Sequence, residues 1–525
     1  ICLLLLCLNA VLTSQAQTSF TDKIGEWKTK FPKEEVVANQ FKEVIDFTLV
    51  ASPAEGQAKV QAKVSTQTVL VPVKDYIKYE DGLFYNDQLS LDNIKVLNAD
   101  NKEVTIQKLC GDYSEESIFH SDAKLCVLKF PLAEKGKAFN YTYQENYKDI
   151  KFLTSIYLLQ RFPVIERVVQ FNIPSWLELD LREFNFAGYA IQKTSTKEGD
   201  ITKVVFTISN TQAYKREPHS PNHALSYPHI ICVAKAFTEA GKRTVLFENV
   251  KDLYGWYSSV CSQIGNNADA VKARVTELTT GKKTDIEKIE SIFYWVQDNI
   301  RYIAFENGIM GFKPDAAQNV LKNKYGDCKG KANLLKTMLT VAGYDARLTW
   351  IGTSDLPYDY SLPSLSVDNH MICTVILNGK KYFLDGTEEY IALSDYAQRI
   401  QGKQVLIEDG KNHILDRVPE FTAERNKEIV TNKVAVTDNQ LSGTSVTEYN
   451  GESKISVQSA YAAVKNDKKA ESLADFARNG NSNIEVSNIT NSDFNDRQKP
   501  LQLKYNFKAN NQVTRTGNEL YVVLD

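Results

Sequence analysis

Three residues of this 525-residue chain, Cys328, His370 and Asp385, carry the side chains that acyl transfer through sulfur needs. A thiolate attacks the carbonyl carbon, an imidazole pairs with it and protonates the leaving amine, and a carboxylate fixes the imidazole tautomer. Cys328 stands in Tyr325-Gly326-Asp327-Cys328-Lys329-Gly330-Lys331-Ala332, where turn formers give way to a helical pattern. The thiol is therefore expected in the first turn of a helix. Unsatisfied N–H groups and the positive end of the helix dipole favour thiolate there, and Lys329 and Lys331 are expected to add cationic charge. The backbone N–H of Cys328 is one natural oxyanion donor, while the second is not identifiable from sequence. A buried structural cysteine is the commoner fate of a lone Cys, but the Gly-Asp-Cys-Lys turn argues against it.

His370 and Asp385 lie on two strand-like runs joined by Asn378-Gly379, the strongest short-range signal for a two-residue type I′ hairpin. Closing Leu377 against Lys380 pairs Ile372 with Asp385 and His370 with Thr387, so His370 and Asp385 become diagonal neighbours on one face. Such neighbours are about 7–8 Å apart, within reach of an imidazole and a carboxylate. A three-residue loop would instead place them on opposite faces. Taken singly, a His at a strand start is more often a satisfied structural residue, and an Asp before Gly-Thr is often a turn former.

These residues need a scaffold, and its elements are legible in outline. Thr284-Asp285-Ile286-Glu287 reads as a capping box, followed by Ile286, Ile289, Phe293, Val296 and Ile300 on one helical stripe. A second helix is predicted from Cys328 to Ala342, with Ala332, Leu335, Met338, Leu339 and Ala342 buried and Gly343 as its left-handed stop. Strands are predicted at 346–352, 370–377 and 381–385. Upstream, scattered apolar positions at 20–46 predict one or two helices. Period-two alternation runs from 47 to 245, as in Val169, Phe171 and Ile173 or Val204, Phe206 and Ile208, and predicts an antiparallel β-sandwich. Beyond 420, strand patterns return around one helix near 466–478. The run 521–525 reads as a strand cut in its middle, so a truncated C-terminal domain is expected. The fold class is thus multidomain α+β: an N-terminal antiparallel sandwich at 47–245, a central α+β domain at 250–400 and a β-rich domain at 420–525.

Composition narrows the function classes. A formal charge of −3, from 62 basic and 65 acidic residues, offers no overall field to gather nucleic acid. The opening ICLLLLCLNAVLTSQAQ is too short to span a bilayer, and Ser14-Gln15-Ala16 suits signal-peptidase cleavage, so residues 1–16 are expected to be a secretory signal. The chain is expected to begin inside that signal. Leu6 rather than a small residue before Cys7 disfavours a lipoprotein anchor, and no later apolar run is long enough to cross a membrane. The mature protein is expected to be periplasmic or extracellular. Of eight cysteines, Cys2 and Cys7 fall in the signal, and Cys110 with Cys126 is the first pair to test for a disulfide.

From Arg301-Tyr302-Ile303-Ala304 through Gly343, with the YGDCKGKA core and the later DNHMICTVILNGKKYFLDGT stretch, the chain resembles the transglutaminase-like superfamily in its Cys…His…Asp order and spacing. The likeness covers roughly 250–400. It implies a papain-like thiol fold with Cys328, His370 and Asp385 as the triad, in a family of amide cross-linkers, cysteine peptidases, amidases and members that have lost activity. The β-rich region before it resembles the uncharacterised domain that often precedes such modules in exported bacterial proteins. Gly330 departs from the acidic residue expected in many relatives of this subtype.

The expectation is an exported thiol enzyme, a peptidase, amidase or acyl transferase working through a Cys328 thioester, with no cofactor and no metal. Its partner would be a protein, peptide or envelope-derived amide. The alternative is a non-catalytic envelope scaffold that retains the fold, for which loss of a triad member would have spoken. A zinc site at Cys328, His370 and Cys373 is disfavoured, because no Cys-x-x-Cys or His-Glu-x-x-His spacing occurs and Cys373 should point away from His370.

Overall fold

The structure, a computed structural model, describes residues 19–51, 58–113, 118–306, 308–437 and 439–523. The expected signal at 1–16 lies outside the described residues. The chain divides into two compact units, the first running to Leu253 together with 306–308 and 361–366, the second holding 254–305, 309–360 and 367 onward.

The first unit is built on a seven-stranded sheet whose order is Gln192–Glu198, Ile201–Thr211, Val164–Pro174, Val36–Val50, Lys59–Pro72, Phe139–Tyr147 and Leu89–Leu97. One face of it is covered by two smaller sheets. Ile45, Val64, Phe171 and Phe206 meet Ile230, Cys232 and Phe237 of the four-stranded sheet. Phe41, Leu70 and Tyr141 meet Leu83, Leu128 and Phe130 of the three-stranded one. Between these two cores the Arg167 guanidinium, fully buried, is held 2.5 Å from Glu43. Helix Ile24–Lys30 covers the opposite face, with Trp27 against Val37, Val69 and Val71.

Two expectations for this region are corrected. Its first strand begins at Val36 rather than 47, after one short helix, because a register shift between Ala38 and Gln40 breaks the alternation that would have marked it. The sandwich is not wholly antiparallel either. Val36–Val50 and Val164–Pro174 run parallel, and the strands between them in sequence provide the long crossover that such a pair requires. Cys110 and Cys126 face each other across Gln107–Asp112 and Lys124–Leu132 and form a disulfide.

The second unit contains an antiparallel five-stranded sheet in the order Lys380–Leu384, His370–Leu377, Asp345–Ile351, Gln404–Asp409, Asn412–Arg417. Helices Asp269–Thr279, Asp285–Asn299 and Cys328–Val341 pack against it through Val275, Ile289, Phe293, Leu335 and Met338, which meet Ile372, Val375 and Leu384 in one core. The expected capping box at Thr284 and Glu287 is present. Further along, a four-stranded sheet is formed by Glu428–Val436, Gln440–Tyr449, Leu501–Asn510 and Ile484–Asn491. The helix expected near 466–478 is Lys469–Arg478. A second helix, Gly451–Ala463, was not expected. Ile455 and Val457 alternate as in a strand, and the residues it buries are polar: Lys454 donates to the Lys499 carbonyl at 2.7 Å and Gln458 to that of Phe494. A helix that buries amide and ammonium groups leaves little apolar period to read.

Candidate thiol site

Asp327 is the N-cap of helix Cys328–Val341, its carboxylate accepting the Gly330 N–H at 2.8 Å. That cap places Cys328 at the first helical position, 6% exposed. Gly330 is where a side chain would crowd: a Cβ there would sit 3.1 Å from Val320 Cγ2 and 3.4 Å from Asp327 Oδ1. The missing acidic residue thus corresponds to a closely packed spot.

The Asn378-Gly379 turn takes positive φ at both residues, 52° and 78°, as a type I′ turn demands. It pairs Leu377 with Lys380 and Cys373 with Leu384, in the expected register. Asp385 follows directly and shares a face with His370. His370 Nε2 and Asp385 Oδ2 are 2.8 Å apart. Gly386 lets this corner approach the helix, since a Cβ would lie 3.0 Å from Leu335 Cδ1. Asp385 Oδ1 accepts from Thr387 N at 3.0 Å and Thr387 Oγ1 at 2.7 Å.

The imidazole also hydrogen-bonds the Cys328 sulfur. Burial by itself would disfavour the imidazolium, but the Asp385 charge and hydrogen bond, with the sulfur, outweigh it and raise His370 to about 10. Burial would likewise raise Asp385, and the charges of His370 and Arg399 instead hold it well below the usual carboxylate range. All three expected site residues are therefore brought together, with Asp385 only 2% exposed. In so dry a place each charge interaction exceeds its value in water.

The two lysines that follow the thiol have partners of their own. Lys329 pairs with Asp327 at 2.5 Å, and Lys331 donates to the Ile300 carbonyl at 2.6 Å, at the end of helix Asp285–Asn299. Burial lowers Lys331 to about 8. Besides His370, Arg399 is a cation whose charge is felt at Cys328, and no sequence signal singles it out. Its Nη2 lies 2.9 Å from Asp385 Oδ2, 2.6 Å from Thr387 Oγ1 and 2.7 Å from Glu388 Oε1. Cys373 is buried on the same strand as His370 but at odd spacing, its thiol pushed up to about 12 by burial. Among the described residues no three His, Cys, Asp or Glu converge as metal ligands would, and no helix is long and apolar enough to cross a membrane.

The family model for the transglutaminase-like superfamily matches residues 272–384, a span that contains Cys328 and His370 and stops one residue short of Asp385. No curated protein matches the chain. A crystal structure from Parabacteroides distasonis, described as a "putative protease", aligns over 91% of this chain and 93% of its own at 13% identity, with a TM-score of 0.53. That is a likeness of fold. A second, from Cytophaga hutchinsonii and described as a "putative cysteine protease", covers 62% of this chain and 76% of its own at 11% identity, but its TM-score of 0.19 is too low to equate the folds. Over residues 272–384 the chain carries a transglutaminase-like domain, with large β-rich regions on either side.

Proposed function

We propose that this chain is an exported thiol enzyme that cleaves or transfers an amide through a thioester on Cys328. The observation that carries the reading is the continuous hydrogen-bonded line from sulfur to imidazole to carboxylate. In the first half-reaction Cys328 Sγ attacks the carbonyl carbon, and its backbone N–H donates to the developing oxyanion. Collapse breaks the C–N bond, and the amine leaves with the proton from His370. In the second, His370 takes a proton from water, the hydroxide forms the new C–O bond, and the C–S bond breaks to release a carboxylic acid. An amine in place of water would give transfer. Hydrolysis is favoured because an exported enzyme meets water in excess. The apolar run at 3–12 and the Cys110–Cys126 disulfide support export, since disulfides persist in oxidising compartments. A peptide or envelope-derived amide is the substrate class, in keeping with the description of the fold neighbour as a "putative protease".

The test is to screen the purified chain and its Cys328→Ala variant against cell-wall peptides and model amides, with and without an added amine. Amine release by the wild type alone supports the enzyme, and incorporation of the added amine marks transfer. If no amide is turned over and iodoacetamide labelling of Cys328 is unaffected by His370→Ala, the scaffold alternative stands instead.

A further inference from the structure

An ionised carboxylate offers about four acceptor positions, and at Asp385 all four are filled. Oδ1 takes both Thr387 donors, and Oδ2 takes His370 Nε2 and Arg399 Nη2. Arg399 lies in the short 3-10 segment Gln398–Ile400, which is held from outside by Ser354 N–H to the Arg399 carbonyl at 2.7 Å and by Gln398 N–H to Glu452 at 3.3 Å. Its Nε is buried without a hydrogen-bond partner among the described residues, while its side chain remains 41% exposed. The guanidinium is thus placed by its segment together with the three contacts of Nη2, and not by its Nε.

We propose that Arg399 is a positioning residue of the thiol site, one that shares Asp385 Oδ2 with His370 and so limits how tightly the imidazolium keeps its proton. The proposal rests on the thiol-enzyme reading and deepens it. A carboxylate oxygen divided between two cationic donors gives each a weaker partner than it would give one, and the two cations repel each other. Without Arg399 the carboxylate charge would concentrate on His370. The imidazolium would then be a poorer acid toward the leaving amine and a scarcer base toward water. Other groups whose charges are felt at this pair are Cys328 and Lys331 on the nucleophile helix and Glu388 in the loop after Asp385, which itself feels Glu452 on helix Gly451–Ala463. None of them contacts Asp385 Oδ2.

The test is an NMR titration of full-length chain carrying 13Cε1-labelled histidine. Among six histidines, His370 is assigned by the signal lost in His370→Ala. A Cys328→Ala background removes the pull of the sulfur and brings the titration to lower pH. There, Arg399→Met should raise the pKa of His370 by about one unit, whereas Arg399→Lys, which keeps the charge, should restore most of the difference. If Arg399→Met does not fold, judged by near-UV circular dichroism, Arg399→Gln supplies the same comparison. An unmoved or lowered His370 in the folded neutral variant overturns the proposal, as does an equal rise in Arg399→Lys. The measurement needs no substrate. A failed amide screen with the expected titration would therefore sink the enzymatic reading alone, and an unmoved titration with amide turnover would sink the role of Arg399 alone.

Discussion

Asp385→Asn keeps the shape of the carboxylate and removes its charge, which isolates what that charge does at His370. In the wild type, burial works against the imidazolium, and Asp385 is the largest contribution that overturns it, taking His370 from 6.5 to about 10. Without the carboxylate charge, burial should prevail over the sulfur's smaller contribution. Losing both the opposite charge and the hydrogen bond to it should therefore bring His370 back to about its ordinary 6.5. The imidazole would then be largely neutral at pH 7.5, where the wild type holds a proton. An amide facing Nε2 can also impose the wrong tautomer, so turnover of any amide identified by screening should drop on the order of 10²–10⁴-fold. The stability consequence has a definite sign. A raised His370 stabilises fully below about 6.5, and that contribution is lost as pH rises through about 10. A lowered Asp385 stabilises fully above 3.8 and loses its contribution as pH falls below that toward its folded value. The coupling is therefore complete between 3.8 and 6.5, and the variant should be most destabilised there. Thermal unfolding across that range, together with iodoacetamide labelling of Cys328 at pH 6.5, gives the readout. Labelling as fast as wild type, with an unchanged pH dependence of unfolding, would refute the reasoning.

Three further outcomes follow from local geometry. Asp327→Ala removes the helix cap, about 1 kcal/mol, and one partner of a buried ion pair, about 3 kcal/mol at the low end of its range because Lys329 keeps another interaction. Asp327→Asn should retain the cap and lose the pair. Hydrogen exchange in Cys328–Val341 should therefore accelerate in both, about fivefold more in the alanine variant, and equal rates would show that the cap contributes nothing. Gly386→Ala sets a methyl 3.0 Å from Leu335 Cδ1 and should cost about 1–3 kcal/mol, with slower alkylation of Cys328 as Asp385 is pushed from the helix. Wild-type alkylation in that variant would mean the corner yields without moving the carboxylate. Replacing both Cys110 and Cys126 by Ser should lower the unfolding transition of the first unit by about 3 kcal/mol, measured against an unchanged second transition.

Much of the site was legible because it rests on local rules. Asn378-Gly379 sets a two-residue turn, and the turn sets a register that brings His370 and Asp385 to one face whatever lies around them. Asp327 before Cys328 announces a helix start, and Thr284 with Glu287 another. The misses are non-local. Lys329 and Lys331 flank the thiol in sequence, yet a helix turns successive side chains about 100° apart, so neither is bound to face the sulfur. Arg399 sits fourteen residues beyond Asp385 in a segment with no apolar period, and nothing in its neighbours marks it. The parallel strand pair in the first unit was hidden for the same reason, whereas helix Gly451–Ala463 was hidden because the residues it buries are polar.

By itself the sequence determined a thiol at a helix start, an imidazole and a carboxylate across a tight hairpin, and a chain rich in strands on both sides. Each of those follows from residues near one another in the chain, where backbone geometry leaves few alternatives. Only the tertiary structure decided that the imidazole reaches the sulfur, that the lysines after it pair with Asp327 and the Ile300 carbonyl, and that a distant arginine completes the shell of Asp385. Which charges end up together depends on where loops of the second unit close around its core, and no local preference fixes that.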